Sequence, residues 1–180
     1  RIVAGLDTPT SGRVLLDGVP FNDPFGGWVY WTRVPLLSVD QIEMTEDTAS
    51  SLYGNIAMGG VINIVTHRAE PRTLVFKPQY GNRGTPKMDL FASDVWGKLG
   101  VTFNATTFDT DGYTIVAEQE RGNIDIPANV KYQTASGKLD YRPSDRVNLF
   151  FRGGIFTEDR SNGKIGEGND TSWKFGSGGV

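Results

Sequence analysis

Clustered carboxylates are the side chains of this 180-residue sequence with the most evident capacity for chemistry. Glu43, Glu46 and Asp47 lie close together, and Asp109 and Asp111 precede Gly112. A carboxylate cluster supports acid–base catalysis when a convergent partner tunes it, and no such partner accompanies the first group. The second group lacks the remaining ligand positions and the closing glutamate of a calcium loop. We therefore interpret the first group as a solvated acidic patch and the second as the start of a loop.

Composition excludes several other kinds of site. The chain has one histidine, His67, and no cysteine, so a two-histidine or thiolate metal site cannot form within it. We expect no metal site, no cofactor and no enzymatic activity. A net charge of −3 also argues against a nucleic-acid partner, which needs a basic face.

The first part of the chain, to about Thr66, predicts a small α+β globule. A strand at 14–16 is ended by a strong turn signal, Asp17 followed by Gly18. Pro35 predicts a helical turn in which Leu36, Leu37 and Val39 pack inward. Three further elements are expected: a strand at 42–45, a turn through Tyr53 that ends at Gly54, and a buried strand at 61–65 in which Asn63 needs a hydrogen-bond partner.

Beyond a polar connector at 67–71 the pattern changes to long antiparallel strands. Apolar side chains alternate with polar ones, for example Leu99, Val101, Phe103 and Ala105 against the residues between them. Such alternation over about ten residues is typical of a strand in a membrane β-barrel, although a soluble sheet with one wet face shows it as well. About six strands are expected, which is too few to close a wide barrel.

The connections between these strands predict the same architecture. Tight turns are expected at 96–98 and 142–145, and long polar loops at 111–127 and 160–171, as in barrels with short periplasmic and long outer connections. The short connection at 82–85 is an exception to the alternation. Trp96, Tyr132 and Tyr141 near strand ends are candidates for an interfacial aromatic girdle.

Five segments together resemble the plug domain of TonB-dependent outer-membrane receptors. They are residues 14–20 (VLLDGVP), 21–27 (FNDPFGG), 42–44 (IEM), 49–54 (ASSLYG) and 59–66 (GGVINIVT). The resemblance covers about residues 13–66 and implies an α+β plug globule followed by antiparallel strands of an incomplete transmembrane β-barrel. Residues 1–70 would be the C-terminal part of the plug and 71–180 the first strands and loops of the barrel. The chain would then be an internal piece of a longer protein.

The same resemblance implies a function. A receptor in the outer membrane would capture a scarce substrate, namely a ferric siderophore, another metal chelate or cobalamin. The TonB complex would energise uptake through a segment upstream of this chain. The expected partners are thus the chelate or vitamin, TonB and outer-membrane lipids.

By resemblance, apical loops of the plug contribute to the ligand site. The candidate ligand-binding residues are Tyr53, Asn22, Asp23, Phe25, Asn55 and Trp28. Tyr53 is the first choice because an amphipathic ring can stack on a chelate or donate a hydrogen bond to it. The structural alternatives are that Tyr53 pins its turn, that Asn22 and Asp23 are ordinary turn residues, and that Trp28 packs the plug against the barrel.

Two other functional interpretations stay open at this point. One is a soluble or surface-attached β-rich binding module that contains a plug-like element. The other is a hydrolase built on the acidic patch, which would require Glu43 or Glu46 for activity.

Overall fold

The computed structural model describes residues 12–45 and 60–180. The chain divides into two units, Arg1–Arg68 and Ala69–Val180. Within the described ranges, no helix is both long enough and apolar enough to cross a membrane.

The first unit contains a four-stranded sheet with the order β2-β1-β4-β3. β1 pairs with β4 in parallel, whereas the β1–β2 and β3–β4 pairs are antiparallel. Two short 3₁₀ helices, Trp31–Arg33 and Leu36–Ser38, connect β2 to β3. The strands are β1 (Arg13–Leu16), β2 (Val19–Pro20), β3 (Val39–Thr45) and β4 (Val61–Thr66).

The core of this unit surrounds β1, which is buried on both faces. Val14 and Leu16 pack with Phe21, Val34 and Ile64, while Leu15 packs with Val61 on the opposite side. A central strand covered on both faces has a continuous apolar sequence instead of an alternating one. This explains why the strand at 14–16 could be predicted from three consecutive apolar residues.

The turn after β1 confirms the prediction made from Asp17 and Gly18. Both residues have positive φ, 52° and 78°, which is the conformation that a two-residue hairpin turn requires. The predicted strands at 42–45 and 61–65 are also confirmed as parts of β3 and β4. The predicted turn through Tyr53 to Gly54 lies outside the described residues.

The helical turn at Pro35 forms, but its inward face differs from the prediction. Leu36 is 65% exposed, so the expectation that it packs inward is wrong. Pro35 and Ser38 are buried instead, and the Ser38 hydroxyl donates to the Pro35 carbonyl at 3.0 Å. The turn is 3₁₀, with three residues per turn, so residues i and i+3 lie on the same side of it.

The second unit is an open, six-stranded antiparallel sheet in which each strand pairs with its neighbour in sequence. We call it the wall. The predicted number of strands is therefore confirmed. They are β5 (Thr73–Gly81), β6 (Thr85–Trp96), β7 (Leu99–Tyr113), β8 (Ala128–Ser144), β9 (Val147–Lys164) and β10 (Glu167–Gly179).

The two faces of the wall are inverted relative to those of a soluble sheet. On one face, here the apolar face, large side chains are exposed: Phe103 41%, Leu139 43%, Leu149 41%, Phe151 57% and Ile155 54%. On the other, the polar face, the buried residues include Asp89, Ser93, Thr102, Asn104, Thr134, Ser136, Arg152 and Glu158. Exposed apolar and buried polar side chains on alternate positions are the pattern of a strand between lipid and a polar interior.

Strand register aligns the ends of the apolar band. Trp96 pairs with Leu99, which pairs with Tyr141, so both aromatic residues lie in one row at one end. Thr107 and Gln133 lie in the row where the band gives way to polar residues. The six residue steps from Leu99 to Ala105 span about 20 Å, in line with the height of about 25 Å of such bands.

The aromatic girdle prediction is thus supported for two residues and wrong for one. Trp96 and Tyr141 are exposed on the apolar face at its boundary row. Tyr132 lies on the polar face and stacks on Phe108, with ring centroids 5.2 Å apart. Tyr132 is two residues from Thr134 along β8. Residues two apart on a strand point to the same face, so Tyr132 belongs to the polar face.

The predicted alternation of short and long connections fails at the last hairpin. A long loop does separate β7 from β8, and the other turns are short as expected. However, residues 160–171, predicted as a long loop, continue β9 and β10 around a tight turn at Ile165 and Gly166. Composition suggested a loop because these residues are polar, but cross-strand backbone pairing does not depend on side-chain polarity.

The exposed apolar band generates a stability prediction. Phe103 lies midway between the two boundary rows, so Phe103→Lys would place an ammonium group in the middle of the band. We expect the free energy of unfolding of the full-length protein in lipid bilayers to fall by about 2–4 kcal/mol. Denaturant-dependent folding into vesicles measures this change.

The control introduces the same side chain outside the band. Asp159 is exposed on β9 beyond the boundary row, and Asp159→Lys is expected to change the free energy of unfolding by about 1 kcal/mol or less. Equal losses for the two variants would contradict the assignment of the apolar face.

Candidate functional site

Asn22 begins the loop 22–28, and its side chain holds that loop together. Its Oδ1 accepts a hydrogen bond from the Val14 amide at 2.7 Å, and its Nδ2 donates to the Gly27 carbonyl at 2.8 Å. The amide therefore joins β1 to the far side of the loop. A ligand that used these two atoms would have to compete with both bonds.

Asp23 makes the turn inside the same loop. One carboxylate oxygen accepts from the amides of Phe25 and Gly26 at 2.9 and 2.6 Å, the arrangement of an Asx turn. The backbone of Asp23 also pairs with Gly27 and Trp28. The residue is almost fully buried, with 9% exposure. Its carboxylate is thus directed into the loop backbone.

Phe25 and Trp28 are the candidates that this loop presents to solvent. Phe25 is 97% exposed and Trp28 41% exposed. The Trp28 ring lies directly on Gly26, where an added Cβ would come within 1.4 Å of a ring carbon. It also meets Tyr30 edge to face, with centroids 6.5 Å apart. The loop is therefore a compact support that leaves one aromatic side chain, Phe25, free at its tip.

The structure brings together four of the six candidate ligand-binding residues. Asn22, Asp23, Phe25 and Trp28 share the loop 22–28. Tyr53 and Asn55 lie outside the described residues, so their position relative to that loop stays a prediction.

A second polar assembly, which the sequence did not reveal, fixes the β1–β2 turn to β4. The Asp17 carboxylate accepts from the Thr66 amide at 2.8 Å and from the Thr66 hydroxyl at 2.8 and 3.0 Å. The Asp17 amide in turn donates to the Ile64 carbonyl at 2.8 Å. We call the pair Asp17 and Thr66 the clamp. The two residues are far apart in sequence, so the only sequence signal was a turn aspartate and a threonine at a strand end.

Asn63 has the partners that its position in an apolar strand required. Its Oδ1 accepts from the Gly18 amide at 3.1 Å, and its Nδ2 donates to Glu43 at 2.8 Å. Glu43 also accepts from Gln41. The Glu43 carboxylate thus links β3 to β4 from an exposed position, which supports a structural role over the hydrolase interpretation. Glu46 and Asp47 lie outside the described residues.

Charged groups on the polar face of the wall are paired. The Lys87 ammonium lies 3.1 Å from Asp89, which also accepts from the Thr106 hydroxyl at 2.9 Å. Arg160 pairs with Glu158, a residue only 3% exposed. Buried charges need such partners because an isolated one is very costly to desolvate. Sequence reasoning recognised the polar alternation but did not identify these pairs.

Taken together, the two units define a class of protein. A small sheet domain precedes a wall whose exposed face is apolar and whose buried face is polar. That combination is the one expected of a membrane β-barrel protein with a folded domain ahead of its first barrel strand.

Comparison with known proteins gives a domain match for the first third of the chain and a likeness of fold for most of it. The model of the TonB-dependent Receptor Plug Domain matches residues 2–61. The siderophore receptor PirA from Acinetobacter baumannii is similar in fold, with a TM-score of 0.66 and 18% identity over 86% of this chain and 25% of that one. PirA from Pseudomonas aeruginosa has a TM-score of 0.63 and 22% identity over 92% of this chain and 28% of that one.

A third solved structure agrees with these two. The ferric-catecholate import receptor Fiu from E. coli K12 has a TM-score of 0.61 and 14% identity over 87% of this chain and 21% of that one. The chain thus spans about a quarter of the length of the solved structures it matches. A third of the chain thus matches the plug-domain family, and the fold matches a plug followed by part of a β-barrel.

The clamp generates a prediction about local stability. In Asp17→Ala the Thr66 amide and hydroxyl lose their acceptor, and an unsatisfied buried donor costs about 1–3 kcal/mol. We expect the free energy of local opening at residues 61–66 to fall by that amount. Hydrogen–deuterium exchange of the full-length protein measures it.

Two further variants separate the clamp from a general effect of mutation. Asp17→Asn keeps an oxygen acceptor and tolerates the positive φ, so it should lose less protection than alanine. Thr66→Val combined with Asp17→Ala should lose little more than Asp17→Ala alone, because valine removes only the hydroxyl bonds that the alanine has already removed. Fully additive losses would contradict the clamp.

Proposed function

We propose that this chain is part of an outer-membrane receptor that imports a ferric siderophore and is energised through TonB. The observation that carries the proposal is the joining of plug-domain motifs to a wall with an exposed apolar face in one chain. The similar solved structures are siderophore receptors and a ferric-catecholate import receptor, which favours an iron chelate over cobalamin as the substrate.

The geometry of the loop 22–28 supports a division of roles among the candidate ligand-binding residues. Asn22 and Asp23 hold the loop in shape, while Phe25 projects from its tip. A rigidly supported aromatic ring loses little conformational freedom when it stacks on a flat ligand. In this proposal Phe25, Trp28 and Tyr53 contact the chelate, Asn55 adds a polar contact, and Asn22 and Asp23 act by positioning.

The alternative of a soluble binding module fits the wall poorly. A soluble sheet buries its apolar face, whereas Phe151 is 57% exposed and Glu158 only 3%. Solubility of the intact protein without detergent would nevertheless favour the module. A requirement for detergent favours the receptor.

Phe25→Ala tests the contact at the loop tip. The variant removes the ring without removing any hydrogen bond of the loop, so we expect a loss of affinity for the ferric siderophore of about tenfold, or about 1.4 kcal/mol. Binding to the purified full-length receptor measures it. Leu36→Ala is a matched control because Leu36 is also exposed, at 65%, on a different element of the same unit. Equal affinities of Phe25→Ala and Leu36→Ala would contradict the contact.

Tyr53→Ala tests the residue chosen first from the sequence. We expect weaker binding of the ferric siderophore with normal insertion of the receptor into the outer membrane, because the change removes a ligand contact and leaves the wall intact. Iron uptake by cells with and without TonB completes the test. Uptake that persists without TonB would overturn the energisation step, and unchanged affinity would remove Tyr53 from the site.

A further inference from the structure

Residues 69–72, which precede β5, lie across the polar face of the wall. Ala69 contacts β7 at Gly100, where an added Cβ would come within 2.7 Å of the Ala69 Cβ. Gly100 belongs to the polar face because it is two residues from Thr102 on the same strand. β5 then begins at Thr73, which pairs with β6. The chain thus crosses from β7 over β6 to β5, and we call residues 69–72 the anchor segment.

Ser93 on β6 holds the middle of the anchor segment through two hydrogen bonds. Its hydroxyl donates to the Glu70 carbonyl at 2.9 Å and accepts from the Glu70 amide at 2.7 Å. A hydrogen-bonded pair of residues in an antiparallel ladder exchanges one donor and one acceptor in the same way. The serine side chain therefore takes the place of a strand residue. Ser93 is only 6% exposed, so water has little access to its side of this pair.

Asp94 holds the end of the anchor segment. One of its carboxylate oxygens accepts from the Arg72 amide at 3.2 Å and from the Val95 amide at 2.8 Å. Arg72 has a φ of 49°, in the left-handed region that costs a residue with a side chain about 1–2 kcal/mol. A residue keeps such a conformation only where the surrounding contacts hold it. The conformation of Arg72 therefore marks the point where a held segment turns into β5.

We propose that the anchor segment stays bound to the wall while the first unit rearranges during uptake. The first unit ends at Arg68 and the second begins at Ala69. A load transmitted along the chain therefore meets the contacts with β7 and β6 before it reaches β5. Those contacts protect the first strand pairing of the wall, and Ser93, Asp94 and Gly100 are positioning residues for transport. The inference rests on the TonB-energised uptake proposed above.

Hydrogen–deuterium exchange at the Glu70 amide of the purified full-length protein tests the docking without any transport. Ser93→Ala removes both bonds and should raise the exchange rate about fivefold, whereas Ser93→Thr keeps the hydroxyl and should retain most of the protection. Ser136→Ala is the matched control, because Ser136 is similarly buried, at 7%, on the polar face of β8. Equal exchange rates in Ser93→Ala and Ser136→Ala would overturn the docking.

Thiol labelling in cells tests whether the anchor segment stays bound under load. The 180-residue chain has no cysteine, so Ala69→Cys adds a single thiol to it. With the ferric siderophore purified from the native host, this variant should react with a maleimide at the same rate in cells with and without TonB. Adding Ser93→Ala should make the labelling about fivefold faster in cells with TonB only. Adding Ser136→Ala instead should leave the rate unchanged.

Labelling of Ala69→Cys that becomes faster with TonB while Ser93 is intact would overturn the proposal, because the anchor segment would then leave the wall during transport. Iron uptake by the same cells separates the two proposals. Uptake by a receptor whose Glu70 amide is unprotected contradicts the anchor alone. A protected Glu70 amide in a protein that imports no iron supports the docking and contradicts the proposed function instead.

Discussion

The alternation of side chains across a β-strand is the constraint on which the second unit depends. Because successive residues point to opposite faces, one polar and one apolar set can be carried by the same strand without conflict. In the wall this alternation is kept in register across six strands, so that Phe103 and Phe151 lie on the exposed face while Asp89 and Glu158 lie on the buried one. A shift of register by one residue would exchange the two sets completely.

The first unit depends on a different principle, since its strands are short and cannot define a fold by alternation. β1 has four residues and is held by apolar packing on both faces. Side-chain hydrogen bonds add connections between strands that the few backbone hydrogen bonds of such short strands do not provide. Asp17 joins the end of β4, Asn63 joins the turn to β3 through Glu43, and Asn22 joins β1 to the loop 22–28. The polar residues of the plug motifs are thus largely connectors of the sheet.

This distinction changes how the candidate site is understood. Asn22 and Asp23 are attractive ligand-binding residues by type, but their polar atoms are engaged with the loop backbone. The more exposed of the two aromatic residues in the loop is Phe25, whose apolar ring would be expected in a core from composition alone. Polar residues that shape a loop and an apolar residue that it displays are compatible with recognition of a flat chelate.

The sequence by itself determined the strands at 14–16, 42–45 and 61–65, the turn at Asp17 and Gly18, and the alternation of the wall, because these depend on neighbours in the chain. It did not determine that Tyr132 belongs to the polar face, that residues 160–171 extend a hairpin, or that Leu36 is exposed. The Asp17–Thr66 contact was likewise decided only by the tertiary structure. Each of these features depends on strand register or on packing between segments distant in sequence, and a linear pattern does not specify either one.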